Sequence, residues 1–170
     1  MIVLIGYMGS GKTTIAKLLA KLVDKKCYDL DSFIERKENK SIAEIFNSKG
    51  EVYFRKTETE MLKELLVENP DIILSLGGGT PCFGENIKLI KEKVSDLFYL
   101  KSSVENLTER LFYEKESRPL ISHLETKELL EEFVRKHLFE RSFYYLQANH
   151  IIKADGKTAE EISAEIIGLL

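Results

Sequence analysis

The chain is expected to form one α/β domain over residues 1–170, a parallel sheet of about five strands with helices on both faces. Three features predict this. Short runs of strand length alternate with stretches of helical period, as parallel sheets require, since each crossover needs a helix. Apart from Ser75, the run at residues 72–76 is apolar over strand length, which marks a central strand covered on both sides. The opening, MIVLIGYMGSGKTT, passes from an apolar strand straight into a glycine loop and then a helix.

That opening fits G-x-x-x-x-G-K-[ST], with Gly6, Gly9, Gly11, Lys12 and Thr13 in place. Glycine lets backbone N–H groups close on phosphate oxygens, and the following helix aims its positive N-terminus at the same anion. Gly9, Ser10, Gly11, Lys12, Thr13 and Thr14 are therefore the expected phosphate cradle. Lys12 adds a point charge, and the Thr13 hydroxyl suits the Mg²⁺ that accompanies a nucleoside triphosphate.

Ile15, Leu18, Leu19 and Leu22 then repeat at helical spacing, so residues 13–23 read as an amphipathic helix. Residues 27–30 form a second strand that delivers Asp29 and Asp31 to its C-terminal end. Extended chain would turn both carboxylates to one side; the alternative is a capping Asp31 and a solvated Asp29. Ser41 and Glu44 make a capping box for a short helix that Gly50 punctuates, and residues 51–67 continue helical with Arg55 early in the turn sequence. Gly77, Gly78 and Gly79 follow the strand at 72–76. Three glycines there argue for close backbone approach or for dihedrals denied to other residues, hence a bare wall for a polar substrate, against the plainer reading of a turn before Pro81.

Residues 85–92 read as a helix, 97–100 as a strand, and Ser102 with Glu105 as a second capping box leading a helix to Arg110. From 112 to 123 the chain turns polar without apolar period, with Arg118-Pro119-Leu120 in its middle, as a loop that closes over a ligand would. A long helix over 128–146 carries Arg135 and Arg141; residues 150–153 give the last strand, and Thr158 with Glu161 caps a terminal helix.

Composition excludes several classes. The net charge of -3, with acids and bases interleaved, leaves no electrostatic footprint for nucleic acid. The first apolar run stops at Gly6, short of a signal or membrane segment, so a cytoplasmic protein is expected, with no membrane partner. Cys27 and Cys82 form no C-x-x-C, and His123, His137 and His150 show no ligand spacing. The chain holds 19 Lys but only 6 Arg, and Arg55, Arg110, Arg118 and Arg141 occupy the places just described, where planar anions call for paired hydrogen bonds.

Taken together, GYMGSGKT at 6–13, D-L-D at 29–31, GEVYFRKTE at 50–58, LGGG at 76–79, RPL at 118–120 and ERSFYYLQA at 140–148 resemble the shikimate kinases, small P-loop kinases with a nucleoside monophosphate kinase-like fold. The resemblance implies transfer of the ATP γ-phosphoryl to the 3-hydroxyl of shikimate. It implies that Arg55 and Arg141 grip the substrate carboxylate, that Asp31 and Gly77, Gly78 and Gly79 hold hydroxyls, and that Thr13 with Asp29 holds Mg²⁺. Lys12, Asp31 and Arg118 would be the catalytic set, Arg110 would lie against adenine, residues 31–60 would form the substrate subregion and 110–124 the lid, in an enzyme acting as a monomer. The chain departs from the family at Arg141-Ser-Phe-Tyr-Tyr, which lacks a proline, and at Lys157, where an arginine is usual; residues 122–136 carry no family mark. Another small-metabolite kinase, for gluconate or a nucleoside monophosphate, would share the ATP half but not Arg55, Arg141 and the triple glycine. A nucleotide switch would lack Lys12, Asp31 or Arg118, and no N-K-x-D guanine-reading sequence occurs.

Overall fold

Strands of only four residues cannot hold a domain together unless both of their faces are buried, and here alternate residues of each central strand enter different cores. The computed structural model describes residues 1–170, Ser117 by its backbone alone. The elements are β1 (Ile2–Ile5), α1 (Lys12–Leu22), β2 (Lys26–Asp29), α2 (Leu30–Glu38), α3 (Ile42–Glu68), β3 (Ile72–Ser75), α4 (Asn86–Lys93), β4 (Asp96–Lys101), α5 (Val104–Glu114), α6 (Lys127–Tyr145), β5 (His150–Lys153) and α7 (Ala159–Ile167). Single 3₁₀ turns follow at Thr80–Cys82 and Lys115–Ser117.

All pairings are parallel, in the order β2-β3-β1-β4-β5, so the expected five-stranded sheet is present with β1 at its centre. Ile2 and Leu4 of β1 pack with Ile15, Leu19, Ile162 and Ile166 of α1 and α7 on one face. Val3 and Ile5 pack on the other with Leu30, Leu62, Ile90, Leu111 and Val134 from the remaining helices. Each fully buried aliphatic side chain contributes about 1.5–3 kcal/mol relative to exposure, so the two-sided core is what fixes the strand ends that carry the site.

Four local outcomes refine the sequence reading. The strand expected at 27–30 ends at Asp29, and helix α2 begins at Leu30. The cap of α5 is Ser103, whose hydroxyl accepts from Asn106 N at 3.2 Å; the expected Ser102–Glu105 box is displaced by one residue because Ser102 lies buried at the strand exit. Residues 112–114, expected in a loop, are the last turn of α5. Gly50 interrupts α3 at φ 81 and ψ 171, a kink at the place where the glycine punctuates the sequence. The capping boxes at Ser41 and Thr158 form as the sequence suggests.

Candidate active site

The glycine loop joins the C-terminal end of β1 to α1. Gly9 and Gly11 take φ 78 and 87, and Gly11 is the N-cap of α1, so the loop turns in a conformation that side chains disfavour and leaves the helix N-terminus bare. Lys12 is 8% exposed; its Nζ donates to Tyr7 O at 2.8 Å, with Ser10 Oγ at 3.5 Å. Burial pulls the ammonium down to about 8, the charges of Asp31 and Asp29 opposing that shift.

Beside Lys12 the parallel register sets Asp29 opposite Ser75, each the last residue of its strand. Thr13 Oγ1 donates to Asp29 Oδ2 at 2.8 Å, and Ser75 Oγ donates to the same oxygen at 3.1 Å. Asp29 Oδ1 accepts from Ser32 N at 3.2 Å, which makes Asp29 the cap of α2. The capping role expected as an alternative for Asp31 thus belongs to Asp29. Asp31, half-buried in the first turn of α2, is pushed up to about 6 by burial and then by the charges of Asp29 and Glu58.

The triple glycine meets this carboxyl at close range. A Cβ on Gly77 would lie 2.9 Å from Asp31 Oδ1, one on Gly78 would lie 3.3 Å from Met8 N, and one on Gly79 would lie 2.8 Å from Arg55 Nη2. None of the three has positive φ, so close approach and not unusual dihedrals is the reason for glycine here. Tyr145 Oη donates to Gly78 O at 2.6 Å and pins the loop from beneath. Arg55 Nη1 pairs with Glu58 Oε2 at 2.8 Å; Glu58 has no exposed surface and also accepts from Thr80 Oγ1 at 2.6 Å. Arg141 lies over the Tyr7 ring, 5.7 Å from its centroid.

A cavity of about 450 Å³ collects Gly9, Ser10, Gly11, Lys12, Thr13, Thr14, Asp29, Asp31, Gly77, Gly78, Arg110, Arg118 and Lys157. Arg55, Gly79 and Arg141 are not in that lining; they adjoin it, and the fields of both arginines reach Cys82 just beyond the glycine loop. Arg110 Nη1 donates to Gly9 O at 3.2 Å, and Arg118 Nη2 pairs with Glu114 at 2.7 Å. Lys157 pairs with Glu165. An open groove of about 640 Å³ continues from Thr13, Asp29 and Ser75 outward between α1 and α2. Burial pushes the Cys82 thiol up to about 11, which leaves it a poor nucleophile. His137 and His150 pack on Phe133 and Phe98.

Three site residues escaped the sequence reading. Ser75 had a signal, a hydroxyl at the end of an otherwise apolar strand. Glu58 had a weaker one, an acid three residues after Arg55 on the same helix face. Tyr145 had none beyond its place one turn after Arg141.

Known proteins resemble this chain over nearly its whole length. The family model described as shikimate kinase matches residues 8–170. A curated shikimate kinase of Flavobacterium johnsoniae is 46% identical over 169 residues, covering 99% of this chain and 98% of the relative. Among solved structures, a shikimate kinase from Bacteroides thetaiotaomicron superposes with a TM-score of 0.87 at 31% identity, covering 99% of this chain and 96% of its own. One from Acinetobacter baumannii, in complex with shikimate, gives 0.88 at 34% identity, with 99% and 90% covered.

Proposed function

Because the chain belongs to the shikimate kinase family and is an ATP-dependent kinase of shikimate, we propose that the cavity at the C-terminal sheet edge is its active site, with Lys12, Asp31 and Arg118 as the catalytic groups. The observation that carries this assignment is Asp31: a half-buried carboxyl set close against Gly77, which burial pushes up to about 6 within the field of Lys12. A base poised near its working pH is the group that proton transfer needs.

In this mechanism the glycine loop, Gly9 to Thr14, holds the ATP phosphates through backbone N–H groups, and Arg110 borders the nucleotide. Arg55 and Arg141 bind the shikimate carboxylate, while Gly77, Gly78 and Gly79 and Asp31 meet its hydroxyls. Asp31 orients the 3-hydroxyl and takes its proton as that oxygen bonds to the γ-phosphorus. The bond from phosphorus to the β–γ bridging oxygen breaks, ADP leaves, and Lys12 and Arg118 offset the charge that spreads over the transferring group. Mg²⁺ fits the residues present: Thr13 Oγ1, Ser75 Oγ and the Asp29 carboxylate are hard oxygen donors gathered within 2.8–3.5 Å of one another. When bound, the ion would supply neutralisation of the phosphate oxygens.

Residues 110–124 serve as the lid that excludes water, with Ile121, fully buried, as its anchor, and residues 31–60 as the substrate subregion. The enzyme is read as acting as a monomer. No described helix is long and apolar enough to cross a membrane; a cytoplasmic setting, where ATP is supplied and thiols stay reduced, suits the two free cysteines.

The test is a coupled ADP-release assay with Mg-ATP, comparing shikimate with gluconate, quinate, AMP and no acceptor, in wild type and Asp31→Asn. Release should depend on shikimate and fall by about 10²-fold or more in the variant. A variant that keeps most of its turnover would remove Asp31 from the mechanism.

A further inference from the structure

The two arginines on the acceptor side are held in different ways. Arg55 lies over the Phe54 ring, 5.2 Å from its centroid, but it also stands among carboxylates, with Glu58 at 2.8 Å and Glu51 at 3.6 Å, so much of its charge is already balanced. Arg141 has no carboxylate within 4.0 Å among the described residues. Its guanidinium rests instead over the Tyr7 ring at 5.7 Å, with the Tyr145 side chain beside it. Tyr7 is 1% exposed and packs in the same core as Tyr99 and Tyr145, so the ring is not free to turn away. An aromatic face attracts a cation through its quadrupole and leaves the cation's charge available, whereas a carboxylate orients and neutralises together.

Tyr7 also fills a position that the phosphate-loop pattern leaves open, since only the flanking Gly6, Gly11, Lys12 and Thr13 are specified. What the loop itself takes from this residue is its backbone carbonyl, which accepts from Lys12 Nζ at 2.8 Å and which any amino acid supplies. The side chain is therefore separable from the phosphate function. Its hydroxyl is buried with no hydrogen-bond partner among the described residues, so the face of the ring is what the site uses.

We propose that Tyr7 is a positioning residue for the substrate carboxylate, its ring holding Arg141 over the acceptor site without discharging it. This rests on the reading of Arg141 as a carboxylate grip. Arg55 then provides a fixed but partly neutralised contact, and Arg141 the larger share of the electrostatic attraction. Tyr7 does not touch the reacting atoms, so its loss should weaken shikimate binding selectively.

The experiment is steady-state kinetics on the full chain for Tyr7→Phe, Tyr7→Leu, Tyr7→Met, Arg141→Met and the pair Tyr7→Leu/Arg141→Met, with circular dichroism to check folding. Tyr7→Leu and Tyr7→Met remove the π face while keeping an apolar, though smaller, side chain and should raise KM for shikimate by about 3- to 20-fold, the range that such a contact spans. KM for ATP should change at least threefold less. Tyr7→Phe should restore the shikimate KM to within about twofold of wild type. In the double variant the shikimate KM should lie within about twofold of Arg141→Met alone, because residues acting through one another do not add. If Tyr7→Leu does not fold, Tyr7→Met carries the test. A folded variant with unchanged shikimate KM, parallel rises for both substrates, or additive effects in the double variant would each overturn the inference. An unchanged shikimate KM in Arg141→Met would overturn the carboxylate-grip reading itself, and the inference with it.

Discussion

Gly79→Ala isolates one contact of the acceptor side. Gly79 sits at φ -85 and ψ -20, which alanine adopts without strain, so the substitution tests space and little else. The added Cβ would lie 2.8 Å from Arg55 Nη2 and 2.9 Å from Nη1. Ordinary contact begins at roughly 3.5 Å, so about 0.7 Å must be found. An unattached arginine would swing aside. Arg55 is tied to Glu58 at 2.8 Å, and Glu58 is fully buried and held by the Thr80 hydroxyl at 2.6 Å, so the guanidinium or the glycine loop must leave its place. Displacements approaching 1 Å cost up to about 10²-fold when geometry is critical, and a weakening of shikimate binding of about tenfold is expected. Folding should not suffer in parallel, since Gly→Ala at a compatible site stabilises by about 0.4–1 kcal/mol through the unfolded chain. Calorimetric titration with shikimate and a thermal melt read the two effects separately. A shikimate Kd within twofold of wild type, with Tm unchanged or raised, would refute the claim that Gly79 is glycine to make room for Arg55.

Glu58→Ala leaves the Arg55 charge without its buried partner and should destabilise by about 3–5 kcal/mol, lowering Tm by about 6–20 °C in a chain of this size; a drop below 3 °C by thermal melt contradicts this. Arg118→Ala should lower kcat by about 10³-fold or more while the shikimate Kd, measured by titration, stays within about threefold. The pH profile of kcat/KM should rise through about 6 as Asp31 ionises and fall through about 8 as Lys12 loses its proton; a flat profile between those values and a unit beyond each would count against both roles. Asp31 has a folded pKa above its unfolded one, so its contribution to stability is fully present at low pH and is lost as pH rises through about 6. Asp31→Asn should therefore stabilise the ligand-free protein at pH 7, by no more than about 3 kcal/mol in urea unfolding, and a destabilised variant would oppose the sign.

The parts of this fold that local chemistry decides were legible before the structure. β1, the glycine loop, the capping boxes at Ser41 and Thr158 and the kink at Gly50 each depend on residues adjacent in sequence. Ser102 and Ser103 show the limit, because both satisfy a capping pattern and only the point where β4 leaves the sheet decides between them. The sequence also showed that Gly77, Gly78 and Gly79 had to be small without showing what approached them, since Asp31, Met8 and Arg55 come from distant segments. Glu58 and Ser75 were hidden for the same reason. A glutamate on a helix is ordinarily a surface residue, and only the packing of α3 against the Thr80 turn buries this one.

The strand-to-helix junction after β2 accounts for how two aspartates two residues apart come to lie in different surroundings. Continued as a strand, the chain would place both carboxyls on one side in one environment, and neither would be distinguished from the other. By turning into α2 at Leu30 it leaves Asp29 at the sheet edge, where hydroxyls of Thr13 and Ser75 and the amide of Ser32 all donate to it. A carboxylate receiving three donors is fixed in place, as the proposed cation site requires. Asp31, carried into the first helical turn, makes no hydrogen bond among the described residues and faces Gly77 in the cavity, where burial pushes it up to about 6. Acids placed in unlike surroundings let one site separate the proposed tasks of holding a cation and moving a proton. Here that separation is made by a single change of backbone conformation, with Leu30, wholly buried between the two, locking the turn in place.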